Sequence, residues 1–227
     1  LPAELVGEGN TPEYKYSWGR QNWFDFAAQE HLAVRQKAGF FDMSSFAKFR
    51  LEGKDAQAVL QRIMANDVDV EPGRIIYGQW LNNSGGIEAD LTVTRLSETV
   101  FLIVTSAASA TRDFAWLKKN IPEGAHCVAT DVTGSEAVFS IMGPSARDIM
   151  QKISTADFSN TEFPFGTARE IEVGMALARA HRISYVGELG WELYIPTEMA
   201  AYIFEKIIGL DVSMRPKPVS YTHLTLP

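Results

Sequence analysis

With 227 residues, 46% of them hydrophobic and 22% charged, the chain can bury a real core in one or two domains and is no candidate for disorder. A net charge of −7 without any Lys/Arg-rich run argues against a nucleic-acid partner, and no apolar run approaches the roughly 20 residues that span a bilayer. The lone cysteine, Cys127, excludes an internal disulfide framework and a cysteine-based zinc cluster, and fits a reducing, cytoplasmic setting.

The start, Leu1-Pro2-Ala3-Glu4-Leu5, has no basic segment and no long apolar stretch, so it does not read as a signal peptide. Lacking an initiator Met, it reads as the continuation of something longer. Residues 1–22, with Gly7, Gly9, Pro12 and Gly19, form a turn-rich lead-in. From Trp23 to Ala38 the apolar Phe24, Phe26, Ala27, Leu32, Ala33 and Val34 recur near helical spacing, and Gly39 is placed to end that helix as a C′ glycine. Phe46 to Leu51 alternates apolar and polar residues, a half-buried strand closed by Gly53. Asp55 is placed to cap a helix reaching Met64, with Ala56, Val59, Leu60 and Ile63 on its apolar face.

Two strands, Ile75–Leu81 and Glu88–Arg95, flank the turn Asn82-Asn83-Ser84-Gly85-Gly86, whose residues tolerate positive φ. Val100–Thr105 is a third strand, leading through Ser106 to a helix that ends near Lys119. Cys127–Val132 and Glu136–Met142 read as strands joined at Thr133-Gly134, and Ala146–Ile153 as a helix capped by Ser145. Strands at Ile171–Val173, Ala176–Ala180 and Glu192–Ile195 and a helix from Glu198 to Ile208 complete the pattern. Hairpin-rich blocks rather than strict βαβ repeats predict an α+β fold with largely antiparallel sheets. Val219–Pro227, after Pro216-Lys217-Pro218, breaks the preceding pattern and reads as a non-native tail; the alternative is a natural β-prone tail with His223 on its surface.

Two segments carry the chemistry. Gly85-Gly86-Ile87-Glu88-Ala89-Asp90-Leu91 and Tyr185-Val186-Gly187-Glu188-Leu189-Gly190-Trp191-Glu192 each set an acidic residue in or beside a strand-like run after a glycine turn. A carboxylate at the rim of a sheet costs desolvation unless something pairs with it, and a flat heterocycle with several N–H groups is a suitable partner. Taken alone, Asp90 is an Asp on the solvent face of a hairpin and Glu192 an exposed strand residue balanced by Lys or Arg. Tyr77 and Tyr185 are, by the same standard, core tyrosines with satisfied hydroxyls, and Glu188 a residue that satisfies backbone N–H groups of its turn. The clustered Trp23, Phe24, Phe26, Phe40, Phe41, Phe46 and Phe49 read as core. There is no GxGxxG or GxxxxGK[ST] loop, and His31, His126, His181 and His223 lack ligand spacing, so no metal site is expected.

Together with Tyr77-Gly78-Gln79-Trp80-Leu81-Asn82, these segments resemble the tetrahydrofolate-binding domain of the aminomethyltransferase family, from about Tyr14 to Leu210. Arg20-Gln21-Asn22-Trp23-Phe24, Phe40–Phe49 and Ile183–Glu192 are most similar to its flavoprotein branch, the C-terminal folate domains of dimethylglycine and sarcosine oxidising enzymes. The resemblance implies a split, ferredoxin-like folate domain over 23–210, a lead-in over 1–22 from a preceding FAD module, and a truncated end over 211–227. It implies capture by tetrahydrofolate of the methylene group of an iminium made by N-methyl amine oxidation, yielding 5,10-methylenetetrahydrofolate. Asp90 falls on the family's catalytic aspartate, Glu192 on the acceptor of the pterin's amino and ring N–H groups, and Tyr77 and Tyr185 on folate-contact positions. The other branch usually has two adjacent aspartates where this chain has Ala89-Asp90. The alternatives are a stand-alone T-protein of the glycine cleavage system and a non-catalytic folate-binding regulatory protein.

Overall fold

The computed structural model describes residues 15–211 and 213–219. Most of the expected lead-in (1–14) and of the expected tail (220–227) lies outside the described residues. In chain order the elements are α1 (Phe24–Gln36), β1 (Gly39–Asp42), β2 (Ala47–Glu52), α2 (Ala56–Ile63), β3 (Ile75–Leu81), β4 (Ile87–Ser97) and β5 (Val100–Thr105). Then follow α3 (Ala110–Lys119), β6 (Val128–Asp131), β7 (Glu136–Met142), α4 (Ala146–Ile153), β8 (Thr167–Val173), β9 (Ala176–Arg182), β10 (Gly190–Pro196), α5 (Ala200–Ile208) and β11 (Lys217–Pro218). Single 3₁₀ turns lead into α3, β7 and α5.

The chain divides into two compact units. The first takes its described residues from Leu1–Met43, Ala137–Phe165 and Glu170–Pro227; the second is Ser44–Glu136 with Gly166–Arg169. Five strands in the order β3-β4-β5-β2-β6 form one sheet, every pair antiparallel; six in the order β11-β1-β7-β10-β9-β8 form the other, with β1 and β11 parallel. An α+β fold with antiparallel sheets is what the sequence pattern predicts.

The two units repeat one plan. The run β2-α2-β3-β4-β5-α3 of the second matches β7-α4-β8-β9-β10-α5 of the first, and the sheet order β2-β5-β4-β3 matches β7-β10-β9-β8. The second unit, closed by β6, is the split βαββαβ arrangement with one added edge strand, β3; the first follows it as far as α5, with β8 as the added strand. The place that β6 takes beside β2 is taken beside β7 by β1. The sequence carries the echo: Gly53, Ala56, Gln61 and Ile63 recur at Gly143, Ala146, Gln151 and Ile153.

Helix periodicity explains the packing. Ala56, Val59, Leu60 and Ile63 are all buried on α2, and Ala146, Ile149, Met150 and Ile153 on α4, at spacings that align them on one face. Each large aliphatic side chain so buried contributes about 1.5–3 kcal/mol. The second unit's core is completed by Phe49, Leu51, Trp80, Val93 and Phe101, the first unit's by Phe158, Phe163, Trp191, Leu193 and Ile203.

Several expectations require correction. Gly39 lies in β1 rather than capping α1; a Cβ there would meet the Val34 and Val219 side chains, so the glycine serves close packing. Asp55 and Ser145 stand at N-cap positions without side-chain caps, and the Asp55 carboxylate instead accepts the His126 backbone N–H at 2.7 Å. α1 buries a narrow stripe of Ala27, Glu30 and Val34; Phe24 and Leu32 on it are exposed. Phe40, Phe41 and Phe49 are core, whereas Phe24 lies under the Arg20 guanidinium, 4.2 Å from its ring centroid. Among the described residues no helix is long and apolar enough to cross a membrane.

Candidate functional site

Asp90 and Tyr77 sit on the β3–β4 hairpin of the second unit. The register pairs Gln79 with Asp90 and Tyr77 with Thr92, so the three polar side chains share one face as direct and diagonal cross-strand neighbours. The Tyr77 hydroxyl donates to Asp90 Oδ2 at 3.1 Å, and Gln79 Nε2 donates to Oδ1 at 3.0 Å. Asp90 is exposed and both its oxygens are held, which fixes the carboxylate without stripping its water. Tyr77 is exposed as well, not a core tyrosine, and the hydrogen bond to Asp90 raises its pKa. Between the strands, the Asn82 side chain accepts the N–H groups of Ser84 and Gly86, and Gly85 takes φ +78°, so the turn supports the hairpin through glycine and a local side-chain clasp.

Glu192 lies on β10 of the first unit. It is buried, 6% exposed, and among the described residues no Lys or Arg pairs with it, so it is not the balanced surface residue that its position alone suggests. Its partner is the Tyr194 hydroxyl, which donates to Oε2 at 3.0 Å. Burial pushes the carboxyl pKa up to about 7, and the hydrogen bond from Tyr194 works in the opposite direction. β9 pairs antiparallel with β10, His181 opposite Glu192 and Arg179 opposite Tyr194. The period-two alternation of a strand places all four side chains on one face.

Within that cluster the His181 and Tyr194 rings lie 4.2 Å apart by centroid, and the Arg179 guanidinium is 5.4 Å from the Tyr194 centroid. Arg179 Nε donates to His181 Nε2 at 3.2 Å, which assigns the ring proton to Nδ1. Burial first, and the charge of Arg179 second, hold His181 well below its ordinary range, so it is neutral. The sequence reading passed over Gln79, Arg179, His181 and Tyr194. The signal that finds them is the strand register: Gln79 and His181 are the cross-strand partners of Asp90 and Glu192, Tyr194 is two residues from Glu192 on its own strand, and Arg179 is two from His181.

Tyr185 falls on the loop between β9 and β10 and is 42% exposed, again not core. Gly187 takes φ +77° in the same loop. Glu188 does not bind its own turn's backbone: it accepts Arg35 Nη1 of α1 at 2.7 Å, while Val186 O accepts the same nitrogen at 3.1 Å. The loop borders a cleft of about 370 Å3 lined by Phe165, Arg182, Ser184, Glu188 and Leu189 among others. Tyr77 and Asp90 are therefore brought together in one unit, and Tyr185 and Glu192 belong to the other. Among the described residues, no group of three or more His, Cys, Asp or Glu side chains is arranged to hold a metal ion.

Residues 5–224 match the family model described as the GCVT N-terminal domain. The chain is 38% identical to the 4-methylaminobutanoate oxidase (formaldehyde-forming) of Paenarthrobacter nicotinovorans over 91% of its own length and 25% of that protein's. It is 33% identical to the mitochondrial dimethylglycine dehydrogenase of Mus musculus over 92% of its length and 24% of that protein's. The solved glycine cleavage system aminomethyltransferase T from Bartonella henselae superposes with a TM-score of 0.75 at 27% identity, covering 93% of this chain and 56% of that one. The chain spans about a quarter of the length of these two curated relatives. It belongs to the GCVT N-terminal domain family.

Proposed function

We propose that this member of the GCVT N-terminal domain family is the tetrahydrofolate-dependent one-carbon transfer part of a longer, FAD-dependent N-methyl amine oxidoreductase. In this reading residues 23–210 form the transferase domain and residues 1–22 connect it to a preceding FAD module. The amine, of the dimethylglycine or sarcosine kind, would give up two electrons to FAD and become an iminium, whose methylene carbon bonds N5 and N10 of tetrahydrofolate as its bond to the amine nitrogen breaks and the demethylated amine leaves. The oxidase and dehydrogenase names of the relatives support the amine-oxidising context, and the family match supports the transferase.

The observation that carries the reading is Glu192. A buried carboxyl with a single hydrogen bond from Tyr194, and with no partner for Oε1 among the described residues, is an acceptor short of donors. A pterin presents an amino group and a ring N–H side by side, and a carboxylate's two oxygens match that pair. Tetrahydrofolate supplies the nucleophilic N5 and the N10 that together take up the carbon. Glu192 and Tyr185 hold and border its pterin. Asp90, its oxygens fixed by Tyr77 and Gln79, stabilises the positive charge that develops and moves a proton as the carbon is taken up. The test is Glu192→Ala in the full-length protein, which should weaken reduced-folate binding by about 1–3 kcal/mol. Unchanged affinity by calorimetry removes Glu192 from the site and the main support from this reading.

A further inference from the structure

On the face that carries Glu192, three residues beyond those assigned above are arranged around its carboxyl group. Tyr194 is 1% exposed and its hydroxyl bonds Oε2. Its ring is gripped from the neighbouring strand, against the His181 imidazole at 4.2 Å and under the Arg179 guanidinium at 5.4 Å. Arg179 also fixes the His181 tautomer through Nε2. Arg179, His181 and Tyr194 are thus the charged and titratable groups of β9 and β10 that share this face with Glu192.

We propose that Tyr194 is a positioning residue for ligand binding: its hydroxyl pins Oε2 of Glu192 so that the carboxyl group is oriented for paired N–H donors of a pterin-type heterocycle, and Arg179 and His181 hold the phenol in place. The assignment rests on the folate reading above. Three physical reasons support it. A carboxylate buried without a donor is the costlier form, and one O–H bond to it shifts the balance toward the ionised state. The bond occupies Oε2 in one direction, which leaves Oε1 and the second lone pair of Oε2 to a ligand. A phenol packed against both a guanidinium and an imidazole has little rotational freedom, so the pin does not have to be ordered when the ligand arrives.

The experiment follows 5-formyltetrahydrofolate binding to the full chain from pH 5.5 to 9, by calorimetry, for the wild type and four variants. Wild-type affinity should fall as pH drops through about 7, where Glu192 takes up its proton. Tyr194→Phe removes the donor and keeps the ring; at pH 7 it should bind about 3- to 10-fold more weakly, and the pH of half-lost affinity should move up by about half a pH unit or more. Tyr194→Leu, which has no donor and fills less space, should shift the same way and serves if Tyr194→Phe does not fold. Tyr194→His, able to stack and to donate, should bring the midpoint back toward the wild type. Folded hydroxyl-free variants whose pH profile overlays the wild type overturn the positioning role, provided Glu192→Gln still weakens binding. If Glu192→Gln binds as the wild type does, or the wild type binds no folate, the folate reading falls and this assignment with it.

Discussion

A carboxyl group whose charged form has lost its water binds its proton more tightly in the folded protein than in the unfolded chain, and Glu192 is such a group. Its folded pKa stands at about 7 against an ordinary 4.5. Because the folded value is raised, its contribution to stability is fully present below pH 4.5 and is lost as pH rises through about 7. The loss by alkaline pH is on the order of 3 kcal/mol. Glu192→Gln, neutral throughout, should therefore melt higher than the wild type at pH 8 and show a smaller fall in Tm between pH 6 and 8. Parallel Tm profiles would mean that the carboxyl is solvated in the native state. Burial at this position is not legible from the sequence. Glu192 follows Gly190-Trp191 in a strand that alternation rules give one solvent face, yet Gly190 through Ile195 is buried on both faces. Asp90 was more legible, because Tyr77 and Asp90 flank a five-residue glycine turn that sets them almost opposite each other.

Among the elements, helices and hairpins with strong periodicity were readable to within a residue or two: β3, β5, β7, α2 and α4 lie where their apolar spacing puts them. The short β1 and β11 were not. β1 has four residues and no alternation, and β11 has two, so both depend on pairing with distant strands. The helix caps failed for a related reason: Asp55 has a better partner, the His126 N–H, brought near by the fold. What the sequence does hold is the echo between Gly53–Ile63 and Gly143–Ile153, and the structure gives its cause. Gly53 takes φ +134° and Gly143 φ +141°, and a Cβ on either would overlap backbone, His126 O in one unit and Lys37 O in the other. Each is the strand-to-helix corner of its unit. Gly53→Ala and Gly143→Ala should each destabilise the protein by about 3 kcal/mol or more, combining strained φ with backbone overlap. Gly134, with open space where its Cβ would stand and no positive φ, is the control: Gly134→Ala should unfold within about 0.5 kcal/mol of the wild type in urea. Equal midpoints for all three would show that the corners are not strained.

For the molecule as a whole, the transfer and the amine oxidation proposed above would be separable reactions that share one intermediate, and that separation makes the role of Asp90 testable. Flavin reduction would belong to the preceding module, so Asp90→Ala in the full-length protein should leave its rate near the wild-type value. Capture is different. Without a carboxylate held by Tyr77 and Gln79, the charge developing as the carbon is taken up loses its stabilising neighbour, and the proton its carrier. The yield of 5,10-methylenetetrahydrofolate should drop by roughly two orders of magnitude, the scale of losing positioned electrostatic or acid–base help. An iminium that is not captured hydrolyses in water, so formaldehyde should rise by the amount that methylenetetrahydrofolate falls. Tyr77→Phe, which removes one of the two hydrogen bonds on Asp90 and leaves the carboxylate, should give an intermediate partition. The measurement is the ratio of the two one-carbon products at fixed amine turnover, with tetrahydrofolate present and absent. If Asp90→Ala keeps the wild-type ratio, Asp90 is a strand residue on the solvent face of its hairpin, and the transfer chemistry must be sought in other side chains.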